Sequence, residues 1–265
     1  MPRRPELQPV QGAVSSGGAE RPYLVYAPGS RPTGVVVCLH GRGITAKQAT
    51  WLTRMNVLAE REGAVVVFPQ ATDETGRPAD RWSPERDLPQ LAAVIGAVRG
   101  EYGDGGRVCL AGISNGAWMA SWYAAARADD VAALGAVAGL RPPQVAPSRP
   151  VPVVAFHGVH DRKTPYELSA AAGRAWAAAN GLADAANPAE DELTRTLTRT
   201  TYSAGAPGEV VFWTFARAGH TWPGSRADGR AVLQLFHGRI SLELDATAEI
   251  WRFYVSLAGG APGRG

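Results

Sequence analysis

The sequence has little cysteine and no long apolar segment. Its only cysteines, Cys38 and Cys109, each lie inside an apolar run. This pattern predicts buried thiols on core strands, with a bond between neighbouring strands left open as the alternative, and it does not resemble a secreted disulfide framework. The longest apolar run, residues 91–98, is too short to cross a bilayer. Residues 1–18 lack the apolar region of a signal peptide. We therefore expect a cytoplasmic protein with no membrane partner, unless a leader has been removed.

Lysine is almost absent as well. Lys47 and Lys163 are the only two, and the formal net charge of +3 comes from arginines scattered along the chain. A nucleic-acid-binding domain concentrates its basic residues on one face or stripe, so we expect no nucleic-acid partner. With 45% hydrophobic and 19% charged residues, the 265-residue chain is expected to form one globular domain. The predicted boundaries are a flexible segment over residues 1–20, a domain over 21–258 and a flexible tail over 259–265.

Apolar runs typical of buried strands alternate with segments of helical spacing. This alternation predicts an α/β fold with a mostly parallel sheet covered by helices on both faces. The connection over residues 140–150 contains four prolines and no helical pattern, so no large lid is expected there. The predicted strands are residues 23–28, 34–41, 64–69, 107–113, 133–139, 151–158 and 209–215, and the predicted helices are 45–63, 88–102, 114–127, 166–180 and 242–257.

The candidate nucleophile lies in a G-x-S-x-G motif. Gly112-Ile113-Ser114-Asn115-Gly116 falls between a predicted strand and a predicted helix. A nucleophilic serine needs a tight strand-to-helix turn that raises its Oγ above the sheet, and side chains at 112 and 116 would collide there. The helix beginning at Ser114 would direct its N–H groups at the reaction centre. The alternative is a serine that only caps a helix in a glycine-rich turn.

An acid and a base follow in the order that this motif requires, which is serine, carboxylate, histidine. Asp161 comes just after the strand that ends near residue 158. His220 lies in a turn-rich loop, residues 218–224, after the last predicted strand. Histidine has the side-chain pKa closest to neutrality and can take the serine proton, while the carboxylate fixes the tautomer of the imidazole ring.

Four other histidines are alternatives to His220 as the base. His40, His157 and His160 precede Asp161, so chain order argues against each of them as the base. We interpret His157 as a satisfied core or rim residue and His160 as a surface residue. His237 is the rival base, although its surroundings lack comparable turn residues.

An oxyanion hole needs two preorganised N–H donors. The Asn115 amide, directly after the nucleophile, is predicted to be one of them. The Arg42 amide is predicted to be the second, with Gly41 as the fallback, because Leu39-His40-Gly41-Arg42-Gly43 ends a strand and is rich in glycine. The alternative is a glycine-rich turn with no catalytic part. The Arg42 side chain could also favour an acidic substrate group.

Three side chains are candidates for substrate binding. Trp222 adjoins the base, Trp82 lies in the long polar loop over residues 71–86, and His40 adjoins the predicted oxyanion loop. An apolar or aromatic acyl group is the expected occupant of the pocket. The expected partner is a small-molecule or oligomeric ester.

Four motifs together carry a family resemblance. LHGRG, GISNGAWMA, FHGVHDRKTPY and GHTWPG, in this order, resemble the polyhydroxybutyrate (PHB) depolymerase-like esterases, which are relatives of the feruloyl and acetylxylan esterases of carbohydrate esterase family one. The resemblance covers roughly residues 20–257. It implies an α/β-hydrolase fold, ester hydrolysis, no cofactor, and a triad of Ser114, Asp161 and His220.

Two departures from that family stand out. Many relatives carry a cysteine pair near the positions of Leu182 and Gly205 and an export leader, and this chain has neither. Both departures argue against an insoluble extracellular polymer as the substrate. The remaining alternatives are a feruloyl or acetylxylan esterase, a peptidase or thioesterase with the same triad, and a non-catalytic binding module. A metal-dependent hydrolase is disfavoured because no H-E-x-x-H spacing occurs.

Overall fold

A ten-stranded sheet forms the centre of the protein. The structure is a computed structural model that describes residues 7–29, 31–102, 106–225 and 238–259. The strand order is β1-β2-β4-β3-β5-β6-β7-β10-β9-β8. The strands are β1 (Val10–Ser16), β2 (Ala19–Tyr26), β3 (Val35–Leu39), β4 (Val65–Pro69), β5 (Val108–Ile113), β6 (Val131–Val137), β7 (Val153–Gly158), β8 (Ala189–Thr194), β9 (Leu197–Tyr202) and β10 (Val210–Phe215).

Helices cover both faces of this sheet. On one face α3, α4 and α5 pack into one apolar cluster, and on the other α1, α2 and α6 pack into a second. Successive residues of β3 alternate between the two clusters, which explains why its sequence is an unbroken apolar run. The helices are α1 (Ala46–Thr53), α2 (Val57–Arg61), α3 (Pro84–Tyr102), α4 (Asn115–Ala126), α5 (Tyr166–Ala179) and α6 (Ala246–Gly259), with a 3₁₀ turn at Ala128–Asp130.

Six neighbouring strands are parallel and set the position of the site. Strands β4, β3, β5, β6, β7 and β10 pair in parallel, while β1, β2, β9 and β8 pair antiparallel at the two sides. Chain order reverses between β3 and β5, because β4 lies on one side of β3 and β5 on the other. Ligands of open α/β sheets bind beyond the carboxyl ends of the strands at such a switch point. The predicted fold class, a mostly parallel sheet of the α/β-hydrolase type, is confirmed.

The fold differs from the sequence-based predictions in three regions of the chain. Residues 10–16, predicted to be flexible, form β1, where Gly12 lies against the Tyr23 ring of β2. The predicted helix 45–63 is two helices, because Arg54 takes a left-handed conformation with φ 55° after α1. Strand β8 was missed because it is polar and fully exposed, and β9 was missed because its inner residues are polar, so neither carries an alternating apolar pattern.

The connection between β6 and β7 contains no helix or strand, in agreement with the prediction that no large lid is inserted there. The two cysteines are free and buried, on the adjacent strands β3 and β5. In the described ranges, no helix is long and apolar enough to cross a membrane.

Candidate functional site

Ser114 occupies the turn between β5 and α4. Its backbone has φ 57° and ψ −122°, a conformation that costs a non-glycine residue about 1–3 kcal/mol. Two hydrogen bonds hold the turn: Ser114 N–H donates to the Val137 carbonyl over 2.9 Å, and Trp118 N–H donates to the Ser114 carbonyl over 2.9 Å. The serine remains partly exposed. The strained turn therefore presents its hydroxyl at the carboxyl edge of the sheet.

The two glycines of the motif are required by close backbone contacts. A Cβ on Gly112 would lie 2.6 Å from the carbonyl carbon of Gly116. A Cβ on Gly116 would lie 2.4 Å from the Leu39 carbonyl oxygen. The prediction that side chains at these positions would collide is confirmed. Gly139, which the sequence analysis did not single out, makes a third such contact, since its Cβ would lie 2.4 Å from the Ser114 carbonyl oxygen.

Asp161 and His220 meet beyond the ends of β7 and β10, which are neighbouring strands. His220 Nδ1 lies 2.7 Å from Asp161 Oδ2, and both residues are buried. A carboxylate oxygen accepts here, so Nδ1 carries the hydrogen of the neutral ring and Nε2 is its basic nitrogen. The structure brings these two predicted residues together at the edge of the sheet where Ser114 lies.

The Asp161 carboxylate is held by several donors. Its Oδ1 accepts the backbone N–H groups of Lys163 at 2.8 Å and Thr164 at 2.9 Å. Burial by itself would raise the pKa of Asp161, but hydrogen bonds from His157, His220 and the Thr164 backbone outweigh it and hold that pKa well below its usual range. Asp161 is therefore an anion at neutral pH, as a residue that stabilises an imidazolium must be.

His157 is a second histidine on this carboxylate. It is buried, as predicted, but its Nε2 lies 3.2 Å from Asp161 Oδ2, a contact that was not predicted. The available signal was the spacing in HGVHD, which places the histidine at the end of β7 and the aspartate four residues later. His237, the rival base, lies outside the described residues.

The loop after β3 lies beside the nucleophile. A Cβ on Gly41 would be 3.5 Å from the Ile113 carbonyl oxygen and 3.7 Å from Ser114 Cβ. Gly43, with φ 75°, donates its N–H to the Asp80 carbonyl over 2.7 Å and so fixes the turn. The Arg42 amide has no acceptor in the part of the chain that the structure describes. The Arg42 side chain is 65% exposed and contacts Asp80.

The Asn115 amide is at the first position of α4, where a helix leaves its N–H groups without intrahelical acceptors. The Asn115 side chain has a separate part: Oδ1 accepts Trp82 N–H over 2.6 Å, and Nδ2 donates to the Trp82 carbonyl over 3.3 Å. This double contact joins the start of α4 to the long loop before α3. The sequence predicted a role only for the backbone N–H of Asn115, not for its side chain.

His40 and Trp82 are packed residues, which corrects their prediction as substrate-binding side chains. Both have at most 1% exposed surface, and the Trp82 indole N–H donates to the His40 carbonyl over 3.0 Å. The His40 ring accepts Ala71 N–H at Nε2 over 3.0 Å, and its Nδ1 donates to the Gly41 carbonyl over 2.9 Å. Burial lowers the pKa of His40, against the opposing effects of Gly41 and Asp87. These contacts hold the start of the loop after β3 in place.

Trp222 is likewise fully buried, so its prediction as a pocket wall is also corrected. Its indole N–H donates to Thr247 Oγ1 over 3.1 Å, and that hydroxyl donates to the carbonyl of Thr53. Trp222 thus connects the loop that carries His220 to α6 and, through Thr247, to the end of α1. Within the described residues, no group of three His, Cys, Asp or Glu side chains is arranged to hold a metal ion.

The chain is similar to known esterases in sequence. Residues 22–146 match the family described as Esterase PHB depolymerase. A curated relative named "Putative esterase NocK", from Nocardia uniformis subsp. tsuyamanensis, is 27% identical over 83% of this chain and 77% of its own length.

Two solved structures share the architecture. An acetyl xylan esterase from Aspergillus awamori superposes with a TM-score of 0.63 at 16% identity, over 86% of this chain and 98% of that one. An esterase from Pyrococcus furiosus superposes with a TM-score of 0.62 at 12% identity, over 96% and 92%. The chain is therefore a carboxylic-ester hydrolase with the α/β-hydrolase fold, similar over residues 22–146 to the PHB depolymerase esterases.

Proposed function

We propose that Ser114, His220 and Asp161 form the catalytic triad of this esterase. The observation that carries the proposal is the 2.7 Å hydrogen bond between His220 Nδ1 and Asp161 Oδ2, at the sheet edge where the strained turn presents Ser114. In this assignment Ser114 Oγ is the nucleophile, His220 Nε2 is the base, and Asp161 stabilises the charged ring.

Acylation begins with attack of Ser114 Oγ on the ester carbonyl carbon, while His220 Nε2 takes the hydroxyl proton. The carbonyl π electrons move onto oxygen and give a tetrahedral oxyanion. When that oxyanion collapses, the carbon–oxygen bond to the alcohol breaks, and His220 returns the proton to the leaving alkoxide. The products of this half-reaction are the free alcohol and an acyl-Ser114 ester.

Deacylation repeats the same steps with water. His220 removes a proton from the water as its oxygen attacks the acyl carbon, and then protonates Ser114 Oγ as the carboxylic acid leaves. The backbone amides of Asn115 and Arg42 are the proposed oxyanion donors in both halves. One donor of this kind is worth about 3–4 kcal/mol of transition-state stabilisation. The contacts of Trp82 with Asn115 and His40 support both donors from one side.

The proposed substrates are short oligomeric esters of hydroxy acids, as in a PHB depolymerase-like esterase. The family match over residues 22–146 supports this choice, and so does the connection after β6, which contains no helix that would cover an extended substrate. Feruloyl and acetylated-xylan esters are the alternative substrates within the same chemistry. Thioesters and peptides would require the same triad to act on a different leaving group.

The test is a hydrolysis panel on the purified chain, Ser114→Ala and Ser15→Ala. Ser15 is a matched control because it lies on β1, away from the carboxyl ends of the parallel strands. The panel contains hydroxybutyrate oligomers, short aryl esters, methyl ferulate, acetylated xylan, a thioester and a peptide. We expect kcat to fall at least about 10⁴-fold in Ser114→Ala and to be unchanged in Ser15→Ala.

A fluorophosphonate probe gives a second readout of the nucleophile. It should label the native chain and Ser15→Ala, but not Ser114→Ala. Equal turnover by all three proteins would refute Ser114 as the nucleophile. Turnover of the ferulate or xylan ester in preference to hydroxybutyrate oligomers would refute the substrate class and leave the triad in place.

A further inference from the structure

His157 shares the carboxylate of Asp161 with His220. Its Nε2 lies 3.2 Å from Asp161 Oδ2, the same oxygen that accepts His220 Nδ1. The Nε2 of His157 also lies 3.0 Å from the Thr164 carbonyl oxygen. The His157 side chain is buried, with 2% of the residue surface exposed. His157 is the penultimate residue of β7, just before the loop that carries Asp161.

The hydrogen on His157 can be placed from these neighbours. Both partners of Nε2 are acceptors, so Nε2 carries a hydrogen and donates it. Among the described residues, Nδ1 has no hydrogen-bond partner, and a hydrogen there would be buried without an acceptor. The edge of the Tyr166 ring packs against the imidazole, with 6.0 Å between ring centroids and 77° between planes. His157 is thus held so that its single N–H lies between two acceptors, the Thr164 carbonyl oxygen at 3.0 Å and Asp161 Oδ2 at 3.2 Å.

We propose that His157 is a positioning residue for the hydrolytic reaction, which fixes the Asp161 carboxylate and moderates its basicity toward His220. The inference rests on the proposed triad. His157, on β7, contacts Oδ2 of Asp161 and so fixes the rotamer of that side chain, while the backbone amides of Lys163 and Thr164 donate to Oδ1. By taking part of the charge on Oδ2, it also limits how strongly that oxygen holds the proton on His220 Nδ1.

A consequence for the pH profile follows from the groups that face Asp161. These are His157 from β7, His220 from the loop after β10, and the amides of Lys163 and Thr164. Without the His157 donor the carboxylate becomes more basic and binds the imidazolium of His220 more tightly. His220 then keeps its extra proton to a higher pH, and the acid limb of kcat/KM moves upward.

The test compares pH profiles of kcat/KM for the native chain, His157→Phe, His157→Gln and His160→Gln. Phenylalanine keeps an aromatic ring without a donor, whereas the glutamine amide reaches about as far as Nε2 and can still donate. His160 is a matched control, since it is exposed and lies three residues further along the chain. We expect His157→Phe to move the acid limb upward by about 0.5–1 pH unit and to lower kcat about tenfold, with KM little changed.

His157→Gln should keep the limb close to that of the native chain, and His160→Gln should not move it. A limb in His157→Phe that matches the native one would overturn the proposal, as would an equal shift in His160→Gln or in His157→Gln. If the phenylalanine variant does not fold, His157→Asn replaces it, because its amide is too short to reach Asp161. Ser114→Ala, assayed beside these variants, separates the two proposals: activity that survives there refutes the triad itself.

Discussion

Replacing Gly139 with alanine tests whether the loop after β6 holds the nucleophile in place. The added Cβ would lie 2.4 Å from the Ser114 carbonyl oxygen and 3.0 Å from Ser114 Cα. Both are backbone atoms, so no side-chain rotation relieves the clash. The loop or the strained turn must therefore move.

The expected cost follows from the kind of contact. Inserting a methyl group into a well-packed region costs about 1–3 kcal/mol. In a domain of this size each kcal/mol lowers Tm by roughly 2–4 °C. A displacement of the nucleophile by about 1 Å can reduce the rate of reaction on the order of 100-fold. We therefore expect Gly139→Ala to lose Tm and, to a greater degree, kcat.

Gly96→Ala is the matched control. Gly96 lies on the exposed side of α3, and a Cβ there would have no neighbouring atom within 4 Å. Alanine in an exposed helix interior is more favourable than glycine by about 0.5–1 kcal/mol, so this variant should gain Tm and keep native kinetics. Calorimetry gives Tm, and hydrolysis of a short aryl ester gives kcat and KM. Native kcat and Tm in Gly139→Ala would refute the assignment of this contact to the position of Ser114.

Three further perturbations probe the neighbourhood of the site. Trp82→Phe keeps an aromatic ring but loses the N–H that donates to the His40 carbonyl. We therefore expect the free energy of unfolding to fall by about 1–2 kcal/mol and kcat to fall about tenfold. Unchanged values in denaturant titration and steady-state assays would show that this hydrogen bond does not support the site. Cys38 and Cys109 should react with a thiol reagent only on unfolding, since burial raises the pKa of Cys38 to about 12 and also raises the pKa of Cys109. Rapid labelling of the native protein at a pH of about 8 would show that the two thiols are accessible. Asp161→Asn should be less stable than the native chain, and the difference in unfolding free energy should be largest above a pH of about 3.9, the pKa of aspartate in the unfolded chain. The difference should shrink as the pH falls below that value, because the pKa of Asp161 is depressed in the folded protein and its protonation removes the stabilisation that the carboxylate provides. Urea unfolding at several pH values measures this difference, and a constant difference would be inconsistent with an ionised Asp161.

The nucleophile turn, the buried strands and the Asp161–His220 pair could be predicted from the sequence. The G-x-S-x-G turn needs two glycines within five residues, so its requirement is written in adjacent positions, and the clash distances at Gly112 and Gly116 show the same requirement in space. Strands buried on both faces are continuous apolar runs, which is why β3, β4 and β5 were located to within a residue or two. The pairing of Asp161 with His220 was predicted from chain order and from their places after strand ends.

Contacts between distant segments were decided only by the tertiary structure. Trp222 was predicted to bind substrate because it adjoins the predicted base, and Trp82 because it lies in a long polar loop, but a side chain's exposure depends on what packs over it from elsewhere in the chain. Gly139 and the edge strands β1 and β8 carry no periodic signal, because their constraints come from single partners across the sheet or turn. The sequence by itself determined which groups could act on an ester. The fold determined which of them share a carboxylate, because the contacts of His157 and His220 with Asp161 depend on rotamers and distances that no local pattern encodes.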